Sequence, residues 1–458
     1  MRAIATRPSL ILLVLFLTAQ ALSAQVAQLS DADLTTRAER FVDLLAQGGF
    51  EEAAKGFDNT MKAAAPPAKL AEIWKALQAQ LGPFQKRTAT RVEPLGGYRS
   101  AFVTSRFEKD AVNLQVVFDG EGRIAGFFVK PAPAAAGAAP APGTTPALPA
   151  YIKKDSFQEK EVEVGAGEWA VPGTLSIPTG KGPFPAVVLV HGSGPNDRDE
   201  TLGPNKPFRD LAWGLASKGI AVLRYEKRTR FHGDKLASLP KPTVKEETVD
   251  DAVAAAQLLR RTEGIDPRRV FVLGHSLGGM LIPRIGARDG EIAGLVILAG
   301  LTRPMEETIV QQLSYIASLD GTVTDEEKKR LDEFQEQAAK VKGLTPESTE
   351  SLMGIPASYW LDLRGYNPPA AAARLRQPLL ILQGERDYQV TMDDFQAWKK
   401  GLAEKKNVTF KSYPNLNHLF MEGEGKATPS EYERPGHVAA VVIDDIAEWV
   451  GKAGTTAK

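Results

Sequence analysis

The sequence predicts an α/β protein: a mostly parallel sheet covered by helices on both faces, preceded by a small α+β domain. Three observations carry this reading. From residue 151 onward, short apolar runs alternate with amphipathic stretches, the rhythm of a parallel sheet whose strands are buried on both faces. A Pro/Ala-rich run separates that region from an N-terminal stretch of different pattern. Within the alternating region, Val270-Phe271-Val272-Leu273 runs straight into Gly274-His275-Ser276-Leu277-Gly278-Gly279. A buried strand feeding a glycine-flanked serine and then a helix start lifts the serine Oγ above the sheet in a strained turn.

At 458 residues the chain is too long for one compact core, and two domains are expected. Charge is balanced, 56 Lys+Arg against 56 Asp+Glu, so no basic field is present to hold nucleic acid. Cysteine is absent, which excludes disulfides, thiolate metal sites and a cysteine nucleophile. All five histidines lie at or beyond His191, with none in the N-terminal third, and no metal site is expected.

Residues 1–24 read as a signal peptide. Arg2 and Arg7 give a positive start, Leu10–Leu17 an apolar core, and Ala21–Ala24 a small-residue cleavage region. The apolar run is shorter than the ~20 residues a membrane span needs, so no stable insertion is expected after cleavage. An exported chain without cysteine fits a bacterial periplasmic or secreted protein.

Residues 25–130 predict a cone-like α+β domain. Ser30 caps a helix striped by Leu34, Ala38, Phe41, Val42 and Leu45, and a second stripe runs through Leu70, Ile73, Trp74, Leu77 and Leu81. The period then changes to two over Ser100–Phe107 and Asn113–Phe118, and Asp119-Gly120-Glu121-Gly122 turns into Arg123–Val129. This domain reads as a non-catalytic binding or positioning module. Residues 131–150 are the Pro/Ala-rich linker.

Residues 151–458 form the main domain. Glu159–Val164 and Ala170–Ile177 open it as an antiparallel pair. The strands Ala186–Val190, Ile220–Tyr225, Val270–Leu273, Ile292–Ala299, Leu379–Leu382 and Val408–Tyr413 follow, with helices between them. Thr243 and Glu246 have capping-box spacing, and Val438, Val442, Ile446, Trp449 and Val450 stripe a closing helix. The insertion 301–377, with helices over Met305–Leu319, Asp325–Val341 and Ala357–Leu363, sits where a lid is carried.

A serine hydroxyl needs a base, and the base needs an orienting carboxylate. In such a sheet the chain order is Ser, acid, His, on loops after successive strands. Asp387 follows Leu379–Leu382 and His418 follows Val408–Tyr413, which puts both on the rim that carries Ser276. Glu385, Asp393 and Asp394 are alternative acids, and His437 an alternative base. Oxyanion donors are expected from the backbone N–H of Leu277 and from that of Ser193, in the loop His191-Gly192-Ser193-Gly194-Pro195. Tyr359 and Trp360 of the insertion are expected to line an apolar acyl pocket.

Ser276, Asp387 and His418, together with His191-Gly192-Ser193-Gly194-Pro195-Asn196-Asp197 and Arg224-Tyr225-Glu226-Lys227-Arg228, resemble bacterial α/β-hydrolases of the serine aminopeptidase-like and dienelactone hydrolase-like kind. Within them, the chain is similar to two-domain carboxylesterases with a small N-terminal domain of unknown function. One position departs, with Thr229 where glycine often follows the basic pair. The resemblance implies an α/β-hydrolase fold and cofactor-free hydrolysis of small to medium acyl esters through a Ser-His-Asp triad and an acyl-enzyme. Two other readings stay open: a serine peptidase of aminopeptidase type, and a non-catalytic binding protein on the same fold.

Overall fold

The structure is a computed structural model and describes residues 29–95, 98–109, 111–131 and 148–453. The expected signal peptide and nearly all of the linker lie outside the described residues. The chain forms two compact units, Met1–Thr145 and Pro146–Lys458.

The first unit has helices α1 (Asp31–Ala46), α2 (Phe50–Ala54), α3 (Asn59–Ala64) and α4 (Pro67–Leu81). An antiparallel sheet follows, β1 (Phe84–Leu95), β2 (Tyr98–Phe107), β3 (Ala111–Phe118) and β4 (Ile124–Pro131), paired in sequence order. The Ser30 side chain accepts the Asp33 N–H, and the Asp33 carboxylate returns to the Ser30 N–H, a reciprocal cap that starts α1. Leu34, Ala38, Phe41, Val42 and Leu45 of α1 are all buried, and the rings of Phe41, Phe57 and Phe127 meet at 5.2–5.8 Å. Strand β1 and the short helices α2 and α3 are not foreseen by the sequence pattern.

The second unit opens with the antiparallel pair β5 (Phe157–Val164) and β6 (Val171–Pro178), then β7 (Phe184–Val190), α5 (Pro207–Ala216), β8 (Ala221–Tyr225), α6 (Arg228–Phe231) and α7 (Gly233–Ala237). A wide turn over Lys245–Val249 enters α8 (Asp250–Arg260), followed by β9 (Ile265–His275), α9 (Leu277–Arg288) and β10 (Gly294–Leu298). The insertion holds α10 (Met305–Ala317), α11 (Asp325–Gly343), the short ladder β11 (Ser351–Leu352) and β12 (Ile355–Pro356), α12 (Ala357–Leu363) and α13 (Pro368–Ala373). The unit closes with β13 (Leu379–Gly384), α14 (Met392–Gly401), β14 (Val408–Tyr413) and α15 (Ala440–Ala453).

The eight strands lie in the order β14-β13-β10-β9-β7-β8-β6-β5, parallel from β14 to β8. Side-chain alternation splits each central strand between two cores. Val187 and Leu189 of β7, with Phe271 and Leu273 of β9, pack under α5, α15 and the insertion. Ala186, Val188 and Val190, with Val270 and Val272, pack under α8 and α14. Burial on both faces is why these strands read as unbroken apolar runs. From β7 the chain goes first to β8 on one side and then to β9 on the other, which opens a crevice at the carboxyl ends of β7 and β9, the switch point where such sheets carry their sites.

Candidate active site

Ser276 sits between β9 and α9 with φ 54° and ψ −115°, a conformation that a non-glycine residue rarely adopts. The turn is pinned by the Ser276 N–H on the Leu298 carbonyl at 2.9 Å. The flanking glycines answer a packing requirement. A Cβ on Gly274 would lie 2.4 Å from the Gly278 carbonyl oxygen, and one on Gly278 would lie 2.4 Å from the Val190 oxygen at the end of β7. These are backbone atoms, so the turn closes only with glycine at both positions. Ser276 itself remains half-buried at the rim.

Asp387 follows β13 and is buried. Its Oδ1 accepts the N–H groups of Gln389 at 2.8 Å and Val390 at 3.0 Å, and its Oδ2 meets His418 Nδ1 at 2.7 Å. Two backbone donors on one oxygen leave the other facing the imidazole. The contact requires the Nδ1–H tautomer of neutral His418, which leaves Nε2 as the acceptor. The loop that carries His418 approaches β13 closely at Gly384, where a Cβ would stand 2.5 Å from the Leu416 oxygen.

The alternative groups are engaged elsewhere. Glu385 is exposed and accepts the Ser412 hydroxyl at 2.7 Å. Asp394 is fully buried against Arg303 and Thr302, and Asp393 lies in the first turn of α14. His437 pairs with Asp210 at 3.0 Å.

The N–H groups of Ser193 and Leu277 meet no protein acceptor among the described residues. A Cβ added to Gly192 would come within 3.2 Å of Ser276 Cβ, so the loop after β7 lies directly against the serine. Leu277 opens α9, whose positive end therefore faces the same point.

Tyr359 and Trp360 correct the sequence expectation. Trp360 is 1% exposed, and its indole N–H reaches the carbonyls of Leu352 at 3.1 Å and Ile355 at 3.2 Å. Tyr359 is also buried, with its hydroxyl on Glu247. Both are committed to internal partners and join the core shared by the sheet and the insertion. A large aromatic whose polar atom has an internal partner buries well, which is what the insertion needs to stay attached.

Sequence reasoning missed a second histidine–carboxylate pair. His275 Nδ1 meets Glu200 at 2.9 Å, and its Nε2 donates to the backbone oxygen of His418 at 2.9 Å. The two imidazole rings lie 4.6 Å apart. Burial alone would lower the His275 pKa, but the Glu200 carboxylate outweighs it and holds His275 above the usual histidine value. Glu200 also accepts the Gly192 N–H at 2.6 Å and has φ 50°. This pair ties the Ser276 turn, the His418 loop and the loop after β7 together. The available signals were a histidine inside the glycine–serine motif and an acid close after the His-Gly-Ser-Gly run.

Residues 187–430 match the family model described as "Alpha/beta hydrolase family", and residues 38–127 match a "Protein of unknown function (DUF3887)". Esterase EstD of Thermotoga maritima is 42% identical over 90% of this chain and 94% of its own length. The acylamino-acid-releasing enzyme of Rattus norvegicus is 25% identical over 55% of this chain and 31% of its own. Among solved structures, Est1E from Butyrivibrio proteoclasticus aligns with TM-score 0.42 and 15% identity over 65% of this chain and 99% of that one. The chain belongs to the alpha/beta hydrolase family.

Proposed function

We infer that this protein is a carboxylic ester hydrolase in which Ser276 is the nucleophile, His418 the general base and acid, and Asp387 the group that orients it. The observations that carry the reading are a strained, half-buried serine against the loop after β7, a histidine whose Nδ1 is held by a buried carboxylate and whose backbone oxygen is hydrogen-bonded to His275 beside that serine, and two backbone N–H groups, those of Ser193 and Leu277, without protein acceptors among the described residues. The 42% identity to an esterase over most of both chains supports the ester as substrate.

The steps follow from these groups. His418 Nε2 takes the Ser276 Oγ proton as the oxygen attacks the ester carbonyl carbon. The carbonyl oxygen gains negative charge and is held by the N–H groups of Ser193 and Leu277. The proton on Nε2 passes to the departing alkoxide as the C–O bond breaks, leaving Ser276 acylated. Water then attacks with His418 again as base, and the acid leaves as the Ser276 oxygen regains its proton. Asp387 keeps Nδ1 protonated throughout and stabilises the imidazolium between steps.

Small to medium acyl chains are the proposed substrates. The long helix α11 of the insertion is largely solvated, with only Ala338 and Val341 buried, and presents no continuous apolar face for a lipid surface. Export to the periplasm or medium is part of the proposal and rests on the Arg2/Arg7, Leu10–Leu17 and Ala21–Ala24 pattern. N-terminal sequencing of the protein recovered from a periplasmic fraction tests it, and an intact Met1 would refute it.

The nucleophile is tested with Ser276→Ala on p-nitrophenyl butyrate and with a fluorophosphonate that adds mass to the active serine. Turnover is expected to fall by about 10³-fold or more with the label lost. Retained turnover or labelling would put the nucleophile elsewhere. An amino-acid p-nitroanilide assayed in parallel separates ester from amide hydrolysis.

A further inference from the structure

In the loop after β7, Gly192 is held on both sides, through its N–H in one peptide group and its carbonyl in the next. The Gly192 N–H donates to Glu200, and the Gly192 carbonyl accepts from Lys227 Nζ at 2.7 Å and from Asn196 Nδ2 at 3.2 Å. In a planar trans peptide the carbonyl of one residue and the N–H of the next point in opposite directions. Whatever fixes the Gly192 carbonyl therefore fixes the direction of the Ser193 N–H. Glycine at 192 places few steric limits on rotation of this peptide, so without an anchor the plane can turn and present an oxygen where a donor is needed.

Lys227 is an unusual anchor. It is 2% exposed, and a buried ammonium is costly unless it is paired and hydrogen-bonded. Its second partner is Glu247 Oε1 at 2.8 Å, and Glu247, also buried, receives the Tyr359 hydroxyl on Oε2. A relay thus runs from helix α12 of the insertion, through Tyr359, Glu247 and Lys227, to the Gly192 carbonyl. Beyond aiming the peptide, a cation on its carbonyl polarises the group and strengthens the N–H at its other end.

We propose that Lys227 is a positioning residue for the oxyanion donor: its ammonium anchors the Gly192 carbonyl so that the Ser193 N–H faces the reacting oxygen at Ser276, with Glu247 and Tyr359 holding the ammonium in place. The proposal rests on the assignment of Ser276 and Ser193 given above. It gives the insertion a part in catalysis that needs no contact with substrate.

The test uses the full chain, p-nitrophenyl butyrate as substrate, and a trifluoromethyl ketone that forms a tetrahedral adduct with the nucleophile. The Lys227→Met/Glu247→Gln double variant removes both charges together, so neither is left buried alone. It is expected to lose about 10²-fold in kcat with KM within about threefold, and to bind the ketone more weakly by the same factor. Tyr359→Phe keeps the ring and removes only the hydroxyl, and the same pattern is expected at a few-fold. A double variant with wild-type kcat, or one whose kcat falls while ketone affinity stays, overturns the proposal. If the double variant does not fold, Tyr359→Phe decides, and unchanged kcat and ketone affinity there overturn it. The Ser276→Ala control keeps the two assignments apart. Ester turnover surviving in it refutes the nucleophile, whereas its loss beside an unaffected double variant refutes the anchor alone.

Discussion

Replacing Asp387 with Asn tests the proposed role of His418 as base through one atom. The Asp387 Oδ1 accepts two backbone N–H groups, from Gln389 and Val390, and an amide NH₂ placed there would meet two donors. The asparagine must therefore keep its oxygen on that pair and turn its NH₂ toward His418 Nδ1. The imidazole then has to accept at Nδ1 and carries its proton on Nε2, where it cannot take one from Ser276. Gln383 Nε2, 3.3 Å from Oδ2, is a donor that favours oxygen on the His418 side, but it is one long contact against the two shorter backbone contacts at 2.8 and 3.0 Å on Oδ1. The wrong tautomer removes general-base catalysis while leaving the oxyanion donors and the serine in place. We expect kcat/KM on p-nitrophenyl butyrate to fall by about 10⁴-fold, or about 5 kcal/mol of transition-state stabilisation. Glu385→Gln, which alters an exposed carboxylate bonded to Ser412, should change kcat/KM by less than about twofold. A loss under tenfold for Asp387→Asn, or a larger loss for Glu385→Gln, would refute the assignment of the acid.

Two stability predictions follow from the same region. Gly278→Ala puts a Cβ 2.4 Å from the Val190 oxygen and 2.6 Å from the His191 oxygen, so it should destabilise by about 1–3 kcal/mol in urea unfolding and lower kcat, whereas Gly343→Ala, with nothing within 4 Å, should be neutral or stabilising; equal effects would contradict the close-approach argument. Burial lowers the His191 pKa from 6.5 to about 4, so between those values the unfolded chain binds the extra proton and stability falls with falling pH, by about 3 kcal/mol in all; His191→Phe should flatten the unfolding free energy across that window, and an unchanged slope would refute it.

The parts of the fold that the sequence revealed are those where one local property decides the outcome. The strands of the second unit are buried on both faces, so β7, β8, β10 and β13 are written as continuous apolar runs, and the glycines around Ser276 mark a turn that tolerates no Cβ. Strand β1 was hidden for the opposite reason. It is an edge strand rich in charged residues, its Arg87 pairs with Asp43 and Glu39 of α1, and two register shifts against β2 break the period of two. The pairs Glu200–His275 and Lys227–Glu247 were hidden because neither partner signals the other in sequence. Glu200 and His275 are 75 positions apart and meet only because β7 and β9 are neighbours in the sheet. Tyr359 and Trp360 were misread because an aromatic that fastens an insertion and one that lines a pocket have the same composition and spacing. Their polar atoms, bonded to Glu247 and to the Leu352 and Ile355 carbonyls, distinguish the two.

The distribution of buried charge gives this site its logic. Replacing a buried ion pair with apolar side chains is often neutral or stabilising, so such pairs are poorly explained by stability alone. Here they gather around the loops that follow β7 and β8. Glu200 pairs with His275, Asp199 with Arg224, Lys227 with Glu247, and Arg228 with Asp251, all of them buried residues. Hydrophobic packing holds a strand well but leaves a loop free to choose among peptide orientations, because apolar contacts have no direction. Charge-assisted hydrogen bonds do have direction, and in a low-dielectric interior a wrong orientation leaves a charge unsatisfied. The sheet thus sets where the Gly192–Ser193 peptide lies, and the buried charges set which way it faces. An oxyanion donor needs both, since an N–H group in the right place but turned away stabilises nothing.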